Sequence, residues 1–398
     1  MQSFFARRTS WNLATNRYSE ALEAHRRAGR ELLDLTASNP TNIGLNYRAE
    51  SLLQSLTDRR ALQYDPQAKG LREAREAVAA YYAERATRVS PDDLILTTST
   101  SEAYSFVFRL LCDPGDAVLV PTPSYPLFDF LANIQDVKLF PYELVYDHGW
   151  QIELNSLFAA IDRVIASGAR CRAILAVHPN NPTGSYVQPR EMQLLNDVCA
   201  ANDAAIIADE VFLDSSLQSQ SPLTFAANED SLTFTLSGLS KISGLPQMKV
   251  AWIAVNGPPT LKQDALERLD VIADTYLSMN APIQLAVPAM LEERNHIQPQ
   301  LLDRVRANLA ELDLQLAQQN LCERLKVEGG WYAILRVPAR GSDEELAIAL
   351  LQRENVLVQP GHFYDFSAEG YLVVSLITSP PEFAAGIKRL LSFVSAMS

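Results

Sequence analysis

The sequence predicts an α/β fold in which a mostly parallel sheet is sandwiched by helices, joined to a smaller α+β domain. Three observations predict it. Short β-rich runs alternate with amphipathic stretches from about residue 60 to 260. Those runs are continuously apolar, as strands covered on both faces are. Beyond Met279 the pattern changes to one long helical stretch followed by two isolated strand-like runs.

The elements follow in order. Residues 1–45 offer no strand of their own and are expected to pack on the smaller domain. "GLREAREAVAAYYAER" carries helical periodicity, and so does "PREMQLLNDVCAAND". The expected strands are 93–98, 117–121, 137–142, 172–178, 204–209, 232–237 and 249–255. Residues 46–280 then form the large domain. Residues 1–45 and 281–398 form the smaller one, with "GGWYAILRV" and "YLVVSLI" as its strands.

Composition narrows the function. The chain has 398 residues, 47% of them hydrophobic, enough for two cores. A net charge of -13 argues against nucleic acid or an anionic membrane as partner. No segment has the length of a membrane span, and the N-terminus lacks the apolar stretch of a signal peptide. Cys112, Cys171, Cys199 and Cys322 are scattered among apolar residues, which points to free thiols in a reducing cytoplasm and to no metal site.

Ligands of an open parallel sheet bind beyond the carboxyl ends of its strands. After 93–98 come Ser99, Thr100 and Ser101, opening a helix. Hydroxyls and free N–H groups there suit an anion, although the same residues also make a plain N-cap. After 117–121 comes Tyr125, an aromatic at the same edge. After "RAILAV" (172–177) comes "HPNNPTG", containing Asn181. Asp209 ends a wholly apolar strand, where a carboxylate needs a cationic or N–H partner. After 232–237 comes "SGLSK", with Ser237, Ser240 and Lys241. One ligand satisfies all five ends, namely pyridoxal 5'-phosphate. Its phosphate would take the helix start, its ring Tyr125, its pyridinium Asp209 and its aldehyde Lys241. A lysine among small residues should have a lowered pKa, as a Schiff-base nucleophile requires.

The ordered set "YDPQAKGLREA", "TSTSEA", "PTPSYPLF", "HPNNPTG", "ADEVF", "SGLSKISGLPQMKVAW", "GGWYAIL" and "PGHFYDF" resembles the class I/II aminotransferases of fold type I, over roughly residues 30–395. The resemblance implies Lys241 as the Schiff-base lysine, Asp209 on the ring nitrogen and Asn181 on the ring hydroxyl. It implies Tyr125 as the stacking aromatic, and Thr100 and Ser101 on the phosphate. Tyr64 would reach the cofactor of a second subunit, so a homodimer with shared sites is implied. His178 reads as a packed residue. His362 is either at the substrate entrance or on a surface loop. Trp331 and Tyr332 read as core or pocket wall.

Four departures from the family pattern stand out. Lys249 takes the place of a phosphate-binding arginine and keeps the charge without the bidentate fork. Phe212 replaces a tyrosine that also bonds the ring hydroxyl, leaving Asn181 to hold it alone. Ser38 or Asn39 replaces a substrate-facing glycine. Val373 falls where relatives carry the arginine that binds the substrate carboxylate, with Arg17, Arg48 and Arg336 as candidate replacements. Asp274 reads as a surface acid at a helix end. The expected activity is transamination between an amine or amino acid and a keto acid. The alternatives are a lyase, decarboxylase or racemase using the same cofactor, or a non-catalytic ligand-binding relative.

Overall fold

Eight strands form the larger sheet of the computed structural model, which describes residues 4–397. In chain order the strands are β1 (Leu33–Asp34), β2 (Leu94–Thr97), β3 (Ala117–Thr122), β4 (Lys138–Tyr146), β5 (Trp150–Ile152), β6 (Cys171–Val177) and β7 (Ala205–Asp209). They continue with β8 (Thr233–Gly238), β9 (Ala251–Asn256), β10 (Glu323–Arg324), β11 (Tyr332–Arg336), β12 (Val356–Leu357), β13 (Gln359–Pro360) and β14 (Tyr371–Ser375). The large sheet runs β2-β9-β8-β7-β6-β3-β4-β5. From β8 to β4 all neighbours are parallel, while β9 and β5 run antiparallel to theirs.

The parallel strands are buried because helices cover both faces. Helix Arg72–Ala83 buries Ala74, Val78, Tyr81 and Tyr82, a helical spacing that makes one apolar stripe. Helix Pro189–Asn202 starts on a proline, where no N–H is needed, and ends at Asp203 in the left-handed region. The run at 137–142 is the exception to the expected burial. In β4 only Tyr142 is buried, because β4 pairs at its far end with the short β5 near the sheet edge.

A four-stranded antiparallel sheet, β10-β11-β14-β13, carries a second core that includes Trp331, Leu335, Val373 and Phe383. The N-terminal segment differs from expectation in supplying a strand: Leu33 and Asp34 pair in parallel with Val356 and Leu357. It does pack on that core, through Tyr18, Leu33 and Leu35. Helix Ala281–Leu316 runs unbroken past Pro288 and Pro299. Its Val287 and Met290 pack in a core cluster beneath the large sheet, and its Ile297, Leu301 and Val305 in the second core.

Candidate active site

Strand direction brings the predicted residues to one edge. Val177, Asp209 and Leu236 are register partners on β6, β7 and β8, so the segments that follow these strands leave the sheet side by side. Thr97 and Gly238 both pair with Ala251 of β9. The turn at Ser99 and the loop at Lys241 therefore start from neighbouring positions.

The lysine loop is held from several directions. Lys241 lies in a one-turn helix, Leu239–Ile242. Leu239 N donates to Val250 O at 3.0 Å. Gly238 admits that approach, since a Cβ there would stand 2.7 Å from Val250 O. Buried Gln298 of the long helix donates to Ile242 O at 2.6 Å and to Lys241 O at 3.2 Å. Tyr47 Oη donates to Gly244 O at 2.7 Å. The loop that carries Lys241 is thus tied to three other parts of the chain.

The Lys241 side chain is partly buried between aromatic rings. Its Nζ lies 4.9 Å from the ring centre of Trp331 and 5.4 Å from that of Phe212. Loss of hydration lowers its pKa from the ordinary lysine value to about 8, against the opposing pull of the Asp209 charge. Asp209 shows the converse effect, because burial pushes its carboxyl above the usual range. Three groups work against that rise, namely the Val211 N–H (3.1 Å to Oδ1), the Tyr104 hydroxyl (2.9 Å to Oδ2) and the Lys241 charge.

The anion-site expectation rests on helix Thr100–Leu111. Ser99 caps it, its Oγ accepting from Glu102 N at 3.2 Å, and Glu102 Oε2 in turn accepts from Thr98 N at 2.6 Å. The first N–H groups, those of Thr100 and Ser101, have no partner within the helix. The "NNPTG" turn is pinned by Thr183 Oγ1 donating to Asn180 Oδ1 and by Asn180 Nδ2 donating to Ser124 Oγ at 3.3 Å. Asn181 Oδ1 is buried without a hydrogen-bond partner. Tyr125, in the loop after β3, is half exposed. Buried Ser237 donates to Glu210 O at 3.4 Å, while Ser240 is partly buried.

Other predicted residues stand differently. Lys249 does not begin a buried strand: it is exposed, with φ +54°, and β9 starts two residues later at Ala251. Phe212 is buried edge-on against Trp331 at 5.1 Å. Tyr64 is 82% exposed, leaving its ring free of this chain's own core. Ser38 and Asn39 are exposed, and Asn39 Oδ1 accepts from Thr41 N at 3.0 Å. His362 and Asp274 are exposed too. Val373 is fully buried in the second core, paired with Ile334 and Gln359. Its three candidate replacements are engaged elsewhere. Arg48 pairs with Glu293 at 2.8 Å, Arg336 with Glu323 at 3.2 Å, and Arg17 lies on the surface near Glu344 and Glu345.

His178 is a packed residue. Its Nδ1 accepts from Val187 N at 3.0 Å, so the proton sits on Nε2, which donates to Leu223 O at 2.9 Å. Burial lowers its pKa to about 4. The four cysteines are free, and three of them are buried.

Sequence reasoning missed Tyr104, Gln298 and the orientation of Trp331. Tyr104 sits one turn into its helix at an apolar-periodic position, and its hydroxyl gave no signal. Gln298 lies about 57 residues from the loop it holds.

A desolvated carboxylate facing a low-pKa amine, at the open edge of a parallel sheet, is the equipment of an enzyme that works by amine–carbonyl chemistry. The chain matches the family described as "Aminotransferase class I and II" over residues 12–390, and it belongs to that family. It is an aminotransferase. It is 26% identical over 383 residues to the glutamate-pyruvate aminotransferase AlaA of Haemophilus influenzae, covering 92% of this chain and 91% of that one. It is 26% identical over 392 residues to the alanine aminotransferase of Mycobacterium bovis, covering 95% and 88%. The solved alanine aminotransferase of Pyrococcus furiosus shares the fold, with a TM-score of 0.86 at 20% identity, covering 98% of this chain and all of that one.

Tyr104→Phe removes one of the two hydrogen bonds that favour the charged form of Asp209. The carboxyl pKa should rise further, so activity that needs the carboxylate should fail at higher pH on the acid side. A pH–rate profile should show that limb displaced upward, with kcat about tenfold lower at neutral pH.

Proposed function

We propose that this chain is a pyridoxal-phosphate-dependent aminotransferase that moves an amino group between an amino acid and a keto acid, with Lys241 as the residue that carries the cofactor's aldehyde. The observation that carries the reading is the low-pKa amine of Lys241 beside the desolvated carboxylate of Asp209. The surrounding donors fit the same cofactor. Asn181 keeps a buried amide atom without a partner, which a ring hydroxyl would satisfy in either orientation of the amide. The Thr100 and Ser101 N–H groups, with the helix dipole, suit the phosphate. Exposed Lys249 is free to turn its charge toward the same group, and Ser240 stands on the lysine loop. Tyr125 would face the ring.

Bound there, pyridoxal phosphate supplies an aldehyde to take up the amino group and a ring to hold the electron pair left at Cα. The residues do the rest. Lys241 Nζ, with a pKa near 8, exchanges protons readily at neutral pH and can move one from the donor's Cα. Asp209 keeps a proton at the ring nitrogen. Phe212 and Trp331 exclude water from the amine. Exposed Tyr64 suits a role in a second subunit's site, so the working form is a homodimer. Free cysteines suit the cytoplasm. Residues 46–280 would form the cofactor domain and residues 1–45 with 281–398 the smaller one, sharing the long helix.

The relatives named for alanine and for glutamate and pyruvate make L-alanine the first donor to test. Mixed with the loaded protein in the absence of a keto acid, L-alanine should yield about one pyruvate per site and then stop. Continued turnover with release of ammonia would instead mean a lyase. Capture of the cofactor needs the neutral amine, which grows as pH rises through about 8. Stopped-flow absorbance should therefore show the capture rate climbing from pH 6 and levelling above that value. A rate that is flat across this range would show that deprotonation of Lys241 does not limit capture.

A further inference from the structure

We propose that Glu210 is a positioning residue of this site: its buried side chain clamps the Thr224–Phe225 turn and so holds the segments that carry Asp209, Asn181 and Lys241 in one arrangement. The inference rests on the aminotransferase reading of those three residues and names what keeps them together. Glu210 is fully buried, and a glutamate is seldom enclosed unless its carboxyl is paired. Glu293, enclosed to a similar degree, has Arg48 at 2.8 Å. Glu210 is held differently. Its Oε1 accepts from Phe225 N and its Oε2 from Thr224 Oγ1, each at 2.6 Å. Three segments of the site meet around it. Glu210 N donates to Leu236 O at 2.8 Å, and Ser237 Oγ donates to Glu210 O at 3.4 Å, which binds the strand end leading to Lys241. Asp209, its neighbour in the chain, accepts at its carbonyl from His178 N at 2.7 Å.

The clamped turn reaches the third segment. Leu223 O accepts from His178 Nε2 at 2.9 Å, and the Phe225 ring packs edge-on against the His178 ring at 5.3 Å. His178 opens the "HPNNPTG" turn, so its anchorage also sets where Asn181 stands. Without the Glu210 side chain, the 223–225 backbone loses its tie to the strand end, and His178 loses a fixed surface to rest on. Side chains that meet a ligand need this kind of support to hold their geometry. The clamp works through shape and hydrogen bonding, not through charge. Burial pushes the Glu210 carboxyl up to about 7, against the pull of Thr224 and Phe225, so both of its forms are present at neutral pH. The protonated form can donate to Thr224 Oγ1 while its other oxygen still accepts from Phe225 N. Glutamine reproduces that neutral pattern, with Nε2 donating to Thr224 Oγ1 and Oε1 accepting from Phe225 N. Alanine removes both contacts.

The test compares Glu210→Ala and Glu210→Gln in the full chain, at a temperature where thermal melts show each variant fully folded. In an absorbance titration of the unloaded protein with pyridoxal phosphate, Glu210→Ala should weaken binding by roughly tenfold. With the cofactor saturating, its kcat for L-alanine per loaded site should fall about tenfold, with a smaller change in KM. Glu210→Gln should recover most of both losses. If Glu210→Ala does not fold, Thr224→Ala removes one of the two contacts and should lower affinity and kcat in the same direction, by roughly threefold. A folded Glu210→Ala protein, or a folded Thr224→Ala protein in its place, that keeps the affinity and the per-site kcat of the unsubstituted chain overturns the proposal, because the residue would then serve the fold alone. A Glu210→Gln protein as impaired as Glu210→Ala overturns it too, because the site would then be using the charge. An unsubstituted protein that binds the cofactor and transfers no amino group overturns the aminotransferase reading instead, and the titrations alone then decide the clamp.

Discussion

Lys241→Ala is expected to lower kcat/KM by at least about 10⁴-fold, because one residue supplies both the nucleophilic amine and the proton carrier at Cα. Lys249, the nearest lysine in sequence, is exposed on a left-handed turn at the far end of the loop. The loss should be chemical rather than structural. The backbone at residue 241 is held by Gln298, and the loop around it by Val250 and Tyr47, none of which needs the side chain. The stability argument points the same way. The folded-state pKa of Lys241, about 8, lies below its ordinary value of 10.5, so between those values the unfolded chain holds more protons than the folded one. Folding is therefore disfavoured by this amine at neutral pH, and the disadvantage fades as pH rises through that window. Cofactor-free Lys241→Ala should be no less stable than the unsubstituted protein at pH 7, and its stability should depend less on pH between 8 and 10.5. Borohydride reduction followed by mass measurement should find cofactor fixed to the unsubstituted chain and none on the variant. A variant that melts several degrees lower without cofactor would show that the lysine supports the fold instead.

The legible part of this protein is the part governed by strand ends. Asp209, Asn181 and Lys241 each follow an apolar run that could only be a buried strand, and a polar residue at that point has few structural uses. The parallel order of β6, β7 and β8 then makes their meeting a matter of topology. Three kinds of feature were not legible. Tyr104 and Trp331 are aromatic residues at core positions, and periodicity cannot tell a ring that only packs from one whose polar atom meets a charge or is left without a partner. Gln298 acts across the fold from the middle of a long helix, a separation over which local pattern carries no information. Short pairings such as β1 with β12 involve two residues each, too few for any alternation to show. Val373 is the instructive intermediate case. The sequence places an apolar residue there, and the fold buries it completely, so the question of what meets a carboxylate moves to other residues.

Asp209→Asn is expected to separate stability from activity in the opposite sense to an ordinary core substitution. Burial raises the Asp209 carboxyl above its ordinary value, so between those values the folded chain holds more protons than the unfolded one. The charged form therefore weakens the cofactor-free fold as pH rises through that window. Asparagine fills the same volume, its Oδ1 can still accept from Val211 N, and its Nδ2 can donate to the Tyr104 hydroxyl oxygen. Without cofactor, Asp209→Asn should melt at the same temperature as the unsubstituted protein or several degrees above it. With cofactor the order should reverse, because a neutral amide brings no charge to a protonated ring nitrogen and the stabilisation that binding adds becomes smaller. Turnover should fall by about a thousandfold or more, as expected when a charge aimed at the reacting system is lost. A carboxylate kept for structure alone would give the contrary pattern, with a lower melting temperature in both forms and activity recovered in proportion to the folded fraction. Thermal melts with and without cofactor, set beside kcat/KM, decide between the two. A desolvated acid at a ligand-binding sheet edge marks a place where binding or chemistry can use its charge, and for Asp209 the amine of Lys241 is the partner that identifies that use.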